Sequence, residues 1–153
     1  MLNALLTPCG IASSIGDDAA IFQFKALWDT GATGCVVTER VAIQCGLTPI
    51  GVLQVFGVHG AEMVNTYLVN LHLPNNVVFR NWRVTEGKLS DDVDVVIGMD
   101  VIVRGDFAVT NKDGLTVFTF RIPPIARYDY VKEHVASEKR QQKKARKRRR
   151  RRR

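Results

Sequence analysis

No stretch of 18 consecutive apolar residues occurs in the 153-residue chain, so no segment reads as a membrane-spanning helix. Cysteine is scarce, at three residues (Cys9, Cys35 and Cys45). Their number is odd and no C-x-x-C or zinc-type spacing occurs, which argues against a disulfide framework or a structural metal. The thiols read as reduced, as expected of a cytoplasmic protein. The run Met1–Cys9 has no basic n-region and breaks at Pro8, so it makes a poor signal peptide. His72 and His134 have no partners at metal spacing, and neither a metal nor any other cofactor is assigned. The last 15 residues contain no acid and no aromatic side chain.

What is present divides sharply along the chain. The formal net charge is +7, but residues 139–153 hold 12 of the 22 Lys/Arg. Residues 1–138 keep 10 basic side chains against 15 acidic ones, a net of −5. The body is therefore mildly acidic and the tail strongly basic. A hydrophobic content of 46% is enough to build a core and excludes wholesale disorder.

Strand patterns dominate the body. Ala20–Trp28 places Phe22, Phe24, Ala26 and Trp28 on one face with Gln23 and Lys25 opposite. After the turn residues 29–34, Cys35–Val37 resumes an apolar run. Thr38 is placed to cap a short helix that Gly46 would end. Val52–Val58 and Ala61–Leu73 read as the arms of a hairpin with Gly57, Val58, His59 and Gly60 at its tip. Pro74–Asn76 turns the chain into Val77–Val84, and a polar loop leads to the apolar strand Val93–Ile97. Gly98 stops that strand, and Met99–Arg104 fits about one helical turn. Asp106–Asn111 and Leu115–Ile122, joined by the turn Asn111-Lys112-Asp113-Gly114, form a last hairpin, and Pro123-Pro124 closes the folded part. Many short strands with one or two short helices predict an all-β fold, a small barrel or sandwich.

The sharpest local feature is Leu27-Trp28-Asp29-Thr30-Gly31-Ala32-Thr33, an acid at the end of an apolar strand followed by a hydroxyl and a glycine. Val95-Val96-Ile97-Gly98 follows further along the chain. Together with the glycine-bearing hairpin, these segments resemble the retropepsin-like aspartic peptidases, and Val96–Ile102 through Gly105–Val109 is similar to their single-domain bacterial branch. The resemblance covers residues 20–122 or so, and it implies a small closed β-barrel that is homodimeric and an endopeptidase acting on protein or peptide substrates.

It also implies roles. This chain has one Asp-Thr-Gly, whereas the chemistry needs two carboxyls sharing a proton, so Asp29 would meet Asp29 of a second copy across a two-fold axis. Thr30 resembles the residue whose hydroxyl ties the two active-site loops together, and Gly31 lets backbone approach the carboxylates. Ala32, the hairpin tip Gly57, Val58, His59 and Gly60, and Ile97 and Gly98 occupy the family's substrate-binding positions. His59 reads as a turn residue, because the family uses no catalytic histidine. Trp28 is bulkier than the aliphatic residue usual there, which is expected to reshape the subsite wall.

The domain reading is an N-terminal arm over 1–19, a candidate interface strand; a peptidase domain over 20–125; a linker over 126–138; and a disordered polybasic tail over 139–153. Leu2–Leu6 and Leu115–Ile122 are the candidate dimer-interface strands. The tail is expected to bind nucleic acid, non-specifically through counterion release, or an anionic membrane surface. Two other function classes stay open on the residues alone: a retropepsin-like module that binds or dimerises without cleaving, and a nucleic-acid-associated protein whose tail is the working part. A carboxylate-pair glycosidase is disfavoured, since it places both acids in one chain.

Overall fold

Alternation builds the barrel strand by strand. In β2 (Phe22–Trp28), Phe24, Ala26 and Trp28 are buried while Gln23 and Lys25 face out, the period-two signature of a strand with one face on the core. The computed structural model describes residues 3–16, 19–57, 60–90 and 92–150. Besides β2 they contain β1 (Leu6–Ser13), β3 (Val36–Val37), α1 (Glu39–Gln44), β4 (Gly51–Gly57), β5 (Gly60–Leu73), β6 (Val77–Glu86), β7 (Val95–Ile97), α2 (Met99–Ile102), β8 (Asp106–Lys112), β9 (Leu115–Arg121) and α3 (Tyr130–Arg150).

The main sheet runs β1-β2-β7-β3-β6-β5-β4, and an additional β1–β5 pairing closes six of its strands into a barrel. Two of the pairings, β2–β7 and β3–β6, are parallel, so they join segments far apart in sequence. Inside lie Ile11, Val37, Val41, Val69, Leu71, Val84, Val95, Ile97 and Val101, all fully buried. Each such aliphatic side chain contributes about 1.5–3 kcal/mol of burial free energy.

The 14-residue β5 does two jobs. From Thr66 onward it pairs with β6, and its second half alternates into the core. Before Thr66 it pairs with β4 alone, from Thr66↔Gly51 out to the closing pair Gly60↔Gly57. That exposed two-stranded ribbon projects from the barrel for roughly 20 Å at the usual rise per residue. With its described side chains exposed or half-buried, it is held more weakly than the barrel strands.

Three expectations are corrected here. Within the expected N-terminal arm, residues 6–13 belong to the barrel itself. β1 is a barrel stave, paired with β2 from Leu6↔Leu27 to Ile11↔Phe22 and with β5 from Gly10↔His72 to Ser13↔Val69. Cys9, Ile11 and Ala12 are buried, and a Cβ at Gly10 would meet the Ile21 Cγ2 at 2.7 Å. A strand carrying Pro8 and Gly10 has a poor local signature, and its place is set by the strands on either side. The second correction concerns residues 126–150: a 21-residue helix, α3, occupies Tyr130–Arg150 in place of a linker and a disordered tail. Lys, Arg, Gln and Glu are good helix formers. The Asp129 carboxylate accepts the Lys132 N–H at 3.0 Å at its start, and acids near the N-terminus with cations near the C-terminus complement the helix dipole.

Trp28 supplies the third. Its bulk goes into packing within the protomer. It is buried under the β8–β9 hairpin, with ring centroids 4.9 Å from Phe120, 5.8 Å from Phe107 and 6.0 Å from Phe118. Its Nε1–H donates to the Thr7 Oγ1 at 3.0 Å. The large ring staples a separate two-stranded sheet to the barrel, a contact an aliphatic residue could not span.

Candidate active site

Asp29 is placed by the parallel pairing of β2 with β7. Trp28 pairs with Ile97, so the next residue leaves the sheet level with Gly98. The Asp29 N–H donates to the Ile97 carbonyl at 3.0 Å, which anchors the first residue of the turn to the neighbouring strand. The turn then folds back on the acid. The Gly31 N–H donates to Asp29 Oδ1 at 2.8 Å, and the Ala32 N–H donates to the Asp29 carbonyl at 3.3 Å. Asp29 is half-buried, while Thr30 and Gly31 are exposed. Among the described residues, neither Asp29 Oδ2 nor the Thr30 hydroxyl makes a hydrogen bond.

The rest of the loop is clamped to α2. The Met99 and Asp100 N–H groups donate to the Ala32 and Thr33 carbonyls at 2.8 and 3.2 Å. Gly98 makes this approach feasible: a Cβ there would lie 2.5 Å from the Gly34 carbonyl oxygen and 3.0 Å from that of Ala32. The glycine is needed for space, since its backbone conformation (φ −90°) suits any residue.

Asp100 is the residue the sequence reading missed. Its Oδ2 accepts the Cys35 N–H at 3.2 Å and the Trp82 Nε1–H at 3.0 Å. Its Oδ1 accepts the Cys35 thiol at 3.2 Å and the Val101 N–H at 2.9 Å. One carboxylate thus ties the end of the active-site loop, β6 and α2 together. Its signal was an acid two residues after the second apolar-apolar-Gly segment, but the donors come from positions 35 and 82, which sequence spacing does not connect. With both oxygens occupied by four donors, Asp100 is a bracing group and not a second catalytic acid.

The other expected positions separate into two groups. Ala32 is half-buried beside Asp29, and Gly57 and Gly60 pair at the end of the ribbon, Gly60 with φ +106°. Val58 and His59 lie outside the described residues. Ile97 is corrected: its side chain is 0% exposed and belongs to the core, because β7 is buried on both faces, and what it offers the site is its carbonyl. Gly98 is likewise buried beneath the loop.

No thiol competes as a nucleophile. Burial pushes the Cys9 pKa up to about 12 and that of Cys45 to about 11, and burial followed by the nearby Asp100 charge raises Cys35 further. All three cysteines are unpaired thiols. Among the described residues no cluster of three or more His, Cys, Asp or Glu could hold a metal ion, and no helix is long and apolar enough to cross a membrane. A cavity of about 340 Å³ lies between the start of α1, the inner ribbon strand and loop 86–89, lined by Glu39, Glu62, Met63, Asn65 and Glu86 among others; Asp29 does not line it.

A family model described as "Aspartyl protease" matches residues 14–101, a segment holding both the Asp29 turn and Gly98. No curated protein matches the sequence. Solved structures similar to this chain include the retroviral protease-like domain of Ddi1 from Leishmania major, at 19% identity over 79% of this chain and 96% of that one, with a TM-score of 0.47. Another is a retropepsin-like aspartic protease from Rickettsia conorii, at 17% identity over 72% of this chain and 90% of that one, with a TM-score of 0.44. The family match spans more than half of the sequence and contains the loop, the glycine beneath it and the bracing acid, and on it the chain belongs to the aspartyl protease family.

Proposed function

We propose that the protein is a retropepsin-type aspartic endopeptidase whose active site forms when two copies bring their Asp29 side chains together across a two-fold axis. The observation that carries this reading is the half-buried Asp29 turn, with one carboxylate oxygen held by the Gly31 amide and the other without a partner among the described residues. A peptidase of this kind needs two carboxyls, and the other acid braced at the site, Asp100, is spent on four donors. The second carboxyl therefore comes from a second copy.

Two carboxyls about 3 Å apart cannot both ionise, so the pair holds one proton. The ionised member takes a proton from water as its oxygen attacks the scissile carbonyl carbon. The protonated member gives its proton to the carbonyl oxygen, producing a neutral gem-diol. On collapse, one hydroxyl returns its proton to the dyad, the amide nitrogen takes a proton from the dyad, and the C–N bond breaks. The products are a carboxylic acid and an amine, and the dyad is back at one shared proton. Thr30 is assigned to tie the paired loops together, and Gly31 to let substrate backbone approach. Ala32 and the ribbon tip (Gly57, Val58, His59, Gly60) are assigned to substrate, the ribbon closing over the bound peptide and excluding water.

The half-buried Asp29 carboxylate, with one oxygen held by a turn amide, speaks against a purely non-catalytic module, which has no evident use for an acid placed this way. The basic helix α3 is assigned to non-specific nucleic acid. The test of the peptidase reading is turnover of a peptide library by wild type and Asp29→Asn across pH 4 to 7, with circular dichroism as the check on folding. The amide cannot share a proton, so cleavage should vanish while the fold stays intact. Cleavage retained by Asp29→Asn would overturn the reading.

A further inference from the structure

The charge of α3 is arranged as well as abundant. Arg140, Lys143, Lys144 and Lys147 fall at i, i+3, i+4 and i+7, so they form one exposed stripe along the helix. Val131, Val135 and Ala136 lie in the first two turns, and beyond them Ala145 is the one apolar residue up to Arg153. A helix without an apolar face in its charged half has nothing to insert into a bilayer. No aromatic residue follows Tyr130, so single-stranded bases find no stacking platform. What remains is a rigid cationic rod that fits a regular array of phosphates, the backbone of a nucleic-acid duplex. The body before it carries the opposite net charge, −4 over residues 1–129, and would be repelled by that backbone. Contact is thereby confined to the helix.

From these features we infer that duplex nucleic acid acts through α3 as a scaffold on which two protomers meet, so that it switches on the peptidase at low protein concentration. The inference rests on the proposal that each protomer holds half of the active site. Two free protomers each bring a tail of 12 positive charges to their encounter, which opposes association. On a duplex those charges are matched by phosphates, and two protomers bound to one molecule face each other at an effective concentration that reaches the millimolar range. The signature is a maximum. Turnover should rise as duplex is added and fall again when excess duplex separates the protomers onto different molecules.

The test uses the full chain, held well below its dimer dissociation constant. The titrant is a duplex of roughly 40 base pairs, long enough for two helices that each cover about 9. Three quantities are read: duplex binding by anisotropy, dimer fraction by chemical cross-linking, and peptide turnover. Binding should weaken with salt at a log–log slope near −5, as for roughly half of the tail charges meeting phosphates. Dimer fraction and turnover should rise together by at least about tenfold, pass through a maximum, and decline. In Arg140→Gln/Lys143→Gln/Lys144→Gln/Lys147→Gln, both rises should be largely lost.

Duplex binding without a gain in cross-linked dimer overturns the inference, as does a rise with no decline at excess duplex. Tighter binding to phosphatidylserine vesicles than to duplex overturns the choice of partner. The peptidase reading fails separately, through absence of turnover at high protein concentration without duplex. In that event the cross-linking arm still decides whether the helix recruits pairs.

Discussion

Gly98→Ala tests the packing of the active-site loop most directly. The added Cβ would lie 2.5 Å from the Gly34 carbonyl oxygen and 2.6 Å from its carbon, against 3.4–4 Å for an ordinary contact. Both neighbours are backbone atoms, so relief requires the 32–34 segment to move by about 1 Å. That movement strains the Met99–Ala32 and Asp100–Thr33 hydrogen bonds, now 2.8 and 3.2 Å long. Overpacking of this kind costs about 1–3 kcal/mol. Replacing glycine at a compatible φ returns about 0.4–1 kcal/mol through the unfolded chain. The net destabilisation is about 1–2 kcal/mol, a urea midpoint lower by about 0.5–1 M at the usual m-value. Turnover should fall further than stability explains, because a 1 Å displacement of a catalytic group costs about 100-fold. Urea unfolding at fixed protomer concentration, with peptide turnover on the same samples, measures both. Gly51→Ala is the comparison: its Cβ would meet the Thr66 Oγ1 at 3.5 Å, an ordinary contact, and it should be near neutral. A Gly98→Ala protein with unchanged midpoint and turnover would refute the argument from close approach.

Four other outcomes follow from contacts elsewhere in the fold. Asp100→Ala leaves the Cys35 and Trp82 N–H groups without their acceptor and should cost about 2–4 kcal/mol in chemical denaturation, whereas Asp100→Asn keeps an acceptor oxygen and should cost less. The buried thiols of Cys9 and Cys35 should resist an alkylating reagent at pH 8 in the folded protein and react in urea, with half-buried Cys45 between them. Since their folded pKa values are raised, the stability they confer is present below pH 9 and declines as pH climbs toward 11 and 12, which midpoints measured on both sides of pH 9 will show. Asp106 behaves with the opposite sign. The Ile125 N–H, Arg121 and the Ala126 N–H hold its carboxyl below the usual range, so its clamp on the segment after β9 persists above the ordinary carboxylate pKa and is lost as acidification passes its lowered value. Hydrogen exchange at the Ile125 and Ala126 amides should accelerate there, and should be fast at neutral pH in Asp106→Asn.

Features whose causes lie within a few residues were legible before the fold was known. Thr38 caps α1 by accepting the Val41 N–H at 3.4 Å, and Gly46 follows it in the left-handed region at φ +59°. Asp113 and Gly114, at φ +52° and +79°, make the two-residue turn between β8 and β9 that Asp-Gly favours. The alternation in β2 announced its buried face, and the acid-hydroxyl-glycine turn after it announced the site. Each follows from steric freedom, capping or period-two patterning over a short window.

Other assignments depended on partners distant in sequence. Pro8 and Gly10 give β1 a weak local pattern, yet β2 and β5 flank it and seal it into the barrel. Trp28 read as a wall until the aromatic residues of β8 and β9, some 80–90 positions later, came to rest on it. Asp100 had no role in the sequence pattern, and only the fold brings Cys35 and Trp82 onto its two oxygens. The sequence alone determined where strands turn, where helices cap and where the candidate acid stands, because those choices are settled by neighbours along the chain. Barrel closure determined what each side chain touches, since parallel pairing of β2 with β7 and β3 with β6 joins segments that no local pattern relates.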